Sequence, residues 1–156
     1  MNERYLFKAK RIDNGEWVQG ALVYDNRDKM HRIVIEIRYS TGTCITADNA
    51  PRVDSSTICQ CTGLKDKNGK LIWEGDVVKK EFYTDYNNCA NSEEYIGIVK
   101  VADCARLVTN IRGKCTRSIL EAMSYWEDVK YFEVIGNVFD NPELLEGGEQ
   151  SGTRTK

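Results

Sequence analysis

A mainly β fold is predicted from three features of the sequence. Apolar and polar residues alternate along most of the chain, turn signals interrupt it at short intervals, and one stretch alone has the spacing of an extended helix. Alternation with period two sends one set of side chains to a core and the other to water, which suits antiparallel sheets covered on one face. With 156 residues, 41% of them hydrophobic and 29% charged, the chain is long enough to bury a core and too apolar to be a disordered segment. That length allows one ordinary domain or two small ones.

The elements follow in order. Tyr5, Phe7 and Ala9 alternate with Arg4, Lys8 and Lys10, with Leu6 out of step, and Asp13-Asn14-Gly15 marks a turn. "EWVQGALVY" reads as the returning strand. "RIVIEIRY" reads as one half-buried strand, with Ile33, Ile35, Ile37 and Tyr39 on one face and Glu36 and Arg38 on the other. The polar run "TGTCITADNAPRVDSST" contains Pro51, one of two prolines, and reads as a boundary. The expected organisation is an N-terminal β hairpin or sheet region over residues 1–50, a barrel region over residues 51–146, and a tail over residues 147–156 too polar to order itself.

Within "KDKNGK", Asn68-Gly69 suits the two φ > 0 positions of a type I′ turn, which sets Lys67 opposite Lys70 and Leu64 opposite Trp73. Gly75-Asp76 is a second corner. Glu74 and Asp76 offer paired carboxylates for acid–base chemistry. An Asp after Gly at a strand entry more commonly bonds backbone N–H groups, and that is the expectation here. "LIWEGDVVKKEFY" and "YIGIVKVA" read as strands separated by a polar loop, "TDYNNCANSEE". Ile119, Leu120, Met123 and Trp126 form one apolar stripe and predict a helix over residues 116–126. "KYFEVIGNVF" is the last strand. "DNPELLE" is a short helical turn, with Asn141 as N-cap and Pro142 in the first helical position.

Charge and cysteine usage narrow the functions. A net charge of −2 and a pI near 5.5 argue against tight nonspecific nucleic-acid binding, which needs many phosphate-neutralising cations. The N-terminus lacks the apolar run of a signal peptide, and no stretch approaches the ~20 apolar residues of a membrane span. A cytoplasmic protein with reduced thiols is expected. The six cysteines, Cys44, Cys59, Cys61, Cys89, Cys104 and Cys115, lack the Cys-x2-Cys spacing of zinc sites. Cys59 and Cys61 share a strand face. A metal clip is the sharper reading of that pair, and two small side chains on the less exposed face is the favoured one. No metal or cofactor is expected.

Three blocks carry a resemblance: "FKAKRIDNGEWVQG", "VDSSTICQCTGLKDKNGKLIWEGDVV" and "FEVIGNVFDNPELLE". In that order and spacing the chain resembles the YopX family, small proteins carried by bacterial prophages and related mobile elements. Cys61 stands where the family more often has an aromatic residue, and residues 104–128 match poorly. The resemblance implies an SH3-like barrel built from the middle and end of the chain. "GDVV" followed by "IGIVKV" looks like the opening strands of such a barrel. No activity is implied, because fold alone does not give function.

Three functions are then weighed. The favoured one is a non-enzymatic binding module of phage origin, acting in the bacterial host on a protein partner or through self-association. Ile33, Ile35 and Ile37 form an apolar row that something must cover. With Trp17 they are the candidate interface, and a homo-oligomer is expected. The second is a nucleic-acid binder using Lys65, Lys67, Lys70, Lys79 and Lys80 beside stacked aromatics, as small barrels do; ordinary solvated lysines on turns explain the same residues. The third is a ribonuclease-like enzyme. It would have to use His31, the only histidine, which has no legible Ser/His/Asp or Cys/His context.

Overall fold

The computed structural model describes residues 5–40, 44–86, 89–102, 105–112 and 131–145. The protein is mainly β and divides into two compact units, Met1–Gly63 and Leu64–Lys156. Among the described residues the strands form open antiparallel sheets and no closed barrel. No helix among them is long and apolar enough to cross a membrane.

In the first unit, β1 (Phe7–Lys10) pairs with β2 (Trp17–Asp25), Phe7 facing Gly20 and Lys10 facing Trp17. The expected turn joins them. Arg11 N–H donates to Glu16 O at 2.9 Å, and Gly15 takes φ 73°, which a side chain would disfavour. β2 then pairs with β3 (Met30–Val34), from Ala21 opposite Val34 to Asp25 opposite Met30. Gly20 is needed for a different reason: a Cβ there would lie 2.2 Å from Val34 O. One face of this sheet supplies the core, where Ala9, Ile33 and Val53 are buried with Phe7, Val18, Leu22 and Ile58 packed on them.

The run expected to be one strand is two. β3 ends at Val34, and β4 (Glu36–Ser40) starts after Ile35 and pairs with β5 (Cys44–Asn49) as a two-stranded ribbon. The apolar row therefore breaks: Ile33 is fully buried and Ile35 is 44% exposed. The cause is backbone pairing. Ile33 N–H donates to Pro51 O and Ile35 N–H to Asn49 O, so the returning chain closes on the edge of β3. That returning chain is the polar run read as a boundary. Part of it is strand β5, and its Val53 enters the core. A 3-10 turn, Ser55–Thr57, follows; the Asp54 carboxylate caps it by accepting from Ser56 N–H at 2.9 Å. β6 (Cys59–Lys65) pairs its first residues with β1 and carries the chain into the second unit. Its Cys59 and Cys61 are buried free thiols, on the face expected for them.

The second unit opens on the hairpin between β6 and β7 (Leu71–Trp73). The hairpin is the expected one, but the turn differs. Asp66 N–H donates to Lys70 O and Gly69 N–H to Asp66 O, and Gly69 alone of the Asn-Gly pair takes positive φ. This is a three-residue hairpin loop with glycine in the left-handed position. Asp66, not Lys67, faces Lys70, and Leu64 shares its core with Ile72. The Asp66 carboxylate selects this loop: it accepts from Asn68 N–H (2.8 Å), Lys70 N–H (2.9 Å) and Val134 N–H (3.1 Å).

β8 (Asp76–Tyr86), β9 (Cys89–Ala102), β10 (Ala105–Arg112) and β11 (Glu133–Asn137) form a four-stranded sheet in the order β10-β9-β8-β11. Of the polar loop expected at residues 84–94, the described residues are instead the far end of the β8–β9 ribbon, paired through Tyr86 opposite Cys89. Each strand satisfies the other's backbone there, so no apolar pattern is required. Leu64, Ile72, Val78, Val99 and Phe132 form the core of this unit. The short turn after β11 is a 3-10 turn, Pro142–Leu145. The Asn141 side chain does not cap it; its Oδ1 accepts from Asn137 N–H at 3.3 Å. The helix expected over residues 116–126 and the tail over 147–156 lie outside the described residues.

Candidate functional site

A cleft of about 490 Å³ opens in the first unit where three chain segments meet. The end of β1 contributes Lys10, Arg11 and Ile12; the corner before β3 contributes Lys29, Met30 and His31; the approach to the 3-10 turn contributes Val53, Asp54 and Ser55. Backbone bonds hold the three sides together. Asp54 N–H donates to Lys10 O (2.8 Å), Val53 N–H to His31 O (3.0 Å) and Ile12 N–H to Arg52 O (3.1 Å).

The corner is the least ordinary of the three. Lys29 N–H closes it on Asp25 O at 2.9 Å, and Lys29 takes φ 60°, the one non-glycine residue at positive φ among those described. The left-handed region costs a side chain about 1–2 kcal/mol and is usually left to glycine or asparagine. His31 packs its ring on Tyr24, the centroids 5.1 Å apart.

Carboxylates around the cleft are already engaged. Arg11 grips Asp13 through two hydrogen bonds, which hold the Asp13 carboxyl below its usual range and raise the Arg11 guanidinium. Ser56 bonds hold Asp54 low. Behind the corner, Arg32 and Arg52 converge on Asp28, at 2.5 and 2.8 Å. Burial pushes the Asp28 carboxyl up, but the two guanidiniums outweigh it and the net direction is down. Asp25 is held low by the Arg27 backbone N–H and guanidinium, with Arg32 adding to it. Arg32 Nε reaches Asp25 at 3.3 Å, an ion-pair contact without hydrogen-bond alignment. Lys29 takes no part in this network among the described residues.

The residues singled out from sequence fall in several places. Trp17 is half-buried beneath the ammonium groups of Lys8 and Lys10, 5.1 and 5.5 Å from its ring. Ile33 is core, Ile35 is surface, and the side chain of Ile37 on β4 lies outside the described ones. Lys65 and Lys70 are exposed beside the second unit's hairpin, and Lys67 pairs with Glu133 at 2.6 Å. Lys79 is half-buried. Lys80 is 6% exposed, its ammonium 5.4 Å from the Phe132 ring and 5.7 Å from that of Tyr131.

Glu74 and Asp76 serve the backbone, as expected for Asp76. Asp76 accepts from Trp73 N–H at 2.9 Å, and Glu74 receives Val101 N–H at 3.4 Å. Among the described residues no group of three His, Cys, Asp or Glu could hold a metal. Lys29 and Ser55 escaped the sequence reading. The signal for Lys29 was a polar corner, Asp-Asn-Arg-Asp, with lysine as the last loop residue before β3, the position that takes positive φ.

A family model described as YopX protein matches residues 6–146, which include both units' cores and every residue lining the cleft. The chain belongs to the YopX family. Among solved structures it is similar to protein EF1440 from Enterococcus faecalis, with 26% identity and a TM-score of 0.52. That match covers 90% of this chain and 96% of the other. No curated protein matches. For this YopX-family chain the comparisons support the mainly β architecture and name no activity.

Proposed function

We propose that this YopX-family protein is a non-enzymatic binding module of prophage origin, working in the cytoplasm of a bacterial host. The observation that carries the reading is the composition of the first unit's cleft. Lys10, Arg11, Lys29, His31 and Ser55 are the donor-bearing residues of its lining, with Arg11 bonded to Asp13, and the one carboxylate of the lining, Asp54, is bonded to Ser56. Ser55 and His31 line the same cleft without a hydrogen bond between them, and Asp25 is held by arginines rather than orienting His31. Such a lining suits recognition better than nucleophilic catalysis.

In this reading the second unit is the supporting region. Its β6–β7 hairpin, its β8–β9 ribbon and the return of β11 beside β8 are taken as the strands of the SH3-like arrangement that family resemblance implies. Self-association is the other part of the proposal. Ile35, 44% exposed, joins Val23 (44%) and Tyr24 (48%) as apolar side chains on the surface of the first unit. A protein partner is favoured over nucleic acid because Lys67 is engaged by Glu133 and Lys80 by aromatic rings.

The test is affinity capture from nuclease-treated host lysate, comparing the wild type with an Arg11→Glu/Lys29→Glu double variant of unchanged circular dichroism. A host protein retained by the wild type and lost by the variant is the expected result. Identical capture by both chains overturns the cleft as the binding site. Light scattering checks self-association: Ile35→Asp should lower the oligomer mass, and a monomeric wild type at micromolar concentration ends that part of the reading.

A further inference from the structure

We infer that the cleft of the first unit is a site for a phosphate monoester group; the inference rests on the reading of that cleft as the binding site. Three observations point there. The first is the donor set. Arg11 already presents its planar fork to Asp13, in the bidentate geometry that suits a carboxylate. Beyond that fork the cleft is lined by Lys29, His31 and Ser55, residues that carry an ammonium, an imidazole and a hydroxyl. These are point donors, and they come from two separate chain segments on two sides of the cavity. A tetrahedral group with three terminal oxygens can meet donors arriving from different directions. A planar carboxylate with two oxygens is matched by one guanidinium, and the one lining the cleft is engaged.

The second observation is the conformation of Lys29. Its backbone sits at φ 60°, where glycine is favoured, and the residue lines the cleft. Local strain at a ligand-facing residue is a known mark of function. The residue held in that conformation beside the cavity is a lysine, where the unstrained choice, glycine, would carry no charge. The third is size: about 490 Å³ falls within the range of small-molecule sites and exceeds the needs of a bare ion. The exposed Ile12 side chain on the rim gives apolar surface for whatever carries the phosphate.

Isothermal titration of the full chain at neutral pH in chloride buffer tests this, with inorganic phosphate as the first probe. Saturable binding is expected, weakened about tenfold in Lys29→Gly, the worth of one charge-assisted hydrogen bond. Lys29→Gly also relieves the left-handed strain, so its thermal midpoint should hold or rise while binding falls. A merely structural role for Lys29 cannot produce that combination. Lys29→Asn, which tolerates the same backbone, should lose binding likewise. Adenosine 5′-monophosphate and a phosphoserine peptide distinguish the sources: the one that binds more tightly than inorganic phosphate identifies the carrier. The inference is overturned if inorganic phosphate does not bind, if both Lys29 variants bind it as well as the wild type, or if a dinucleotide lacking a terminal phosphate binds as tightly as the monoesters. If phosphate fails while the Arg11→Glu/Lys29→Glu variant still loses its captured partner, the ligand class falls and the binding-module reading stands.

Discussion

The two units use their carboxylates differently. In the first, Asp13, Asp25 and Asp28 pair with arginines whose side chains range from 25% exposed at Arg32 to 92% at Arg27, and Asp25 and Asp28 each also accept from one backbone N–H. In the second, Asp66 and Asp76 are buried, 5% and 2% exposed, and accept from backbone N–H groups. Surface ion pairs in water are worth little individually. A buried carboxylate bonded to several amides is different, because removing it takes the acceptor from all of them at once. The second unit is therefore held by its acidic residues. The first is held by its core and its ladder, and its partly exposed ion pairs add less.

The sharpest way to break this contrast is Asp66→Ala. Three backbone N–H groups lose their acceptor, one of them on Val134 in β11. A loss of about 3 kcal/mol is expected in urea unfolding followed by circular dichroism. The same residue sets a pH dependence. Burial pushes the Asp66 carboxyl up, but bonds from the Val134, Lys70 and Asn68 amides outweigh it, and the folded value lies below the usual one. Its contribution is thus fully present above the unfolded value of about 3.9 and is lost as pH falls through the lower folded value. Wild type and Asp66→Asn should differ in urea midpoint at neutral pH and converge in strong acid. A constant difference across that range would show that the carboxylate charge is not what matters.

In the first unit the largest effect should come from packing. Gly20→Ala forces a methyl group to 2.2 Å from Val34 O, a backbone atom that cannot swing away. A cost of about 2 kcal/mol is expected, by the measure of other overpacked sites. Native-state hydrogen exchange should show faster exchange in β2 and β3, and an unchanged pattern would mean the strands separate at little cost. Lys29→Gly comes next and has the opposite sign, a gain of about 0.5 kcal/mol from leaving the left-handed region. Arg27→Ala should be smallest. Its guanidinium lies 3.3 Å from Asp25 but is almost wholly solvated, so no resolvable change in urea midpoint is expected in the same unfolding assay. A loss as large as that of Asp66→Ala would remove the distinction between the units.

Much of the fold was legible locally. The turn at Gly15, the hairpin about Gly69 and the corner at Gly75 are announced by residues whose backbone freedom or side-chain acceptor is needed on the spot. Asp76 could be assigned to the backbone from its place after Gly75 alone. Burial was legible where a strand has one wet face, as at Ala9, Ile33 and Val99, and not along Val77-Val78, which are both buried. Of the cleft, Lys10 and His31 stand out in the sequence, in separate contexts, and Arg11, Lys29 and Ser55 do not.

The sequence by itself determined the mainly β class, the family and the positions of these turns, because period-two patterning and turn chemistry act over a few residues. Tertiary structure decided the rest. The break at Ile35 depends on Pro51 and Asn49 returning to the edge of β3. The polar ends of β8 and β9 are strands because each completes the other's hydrogen bonds. Asp66 chose its turn together with Val134, 68 residues away. The cleft exists because the bonds from Asp54 to Lys10, Val53 to His31 and Ile12 to Arg52 close three remote segments around one space. Backbone donors and acceptors are the same in every residue but proline. Polarity can therefore say that a segment must pair, and only the folded chain says with which partner.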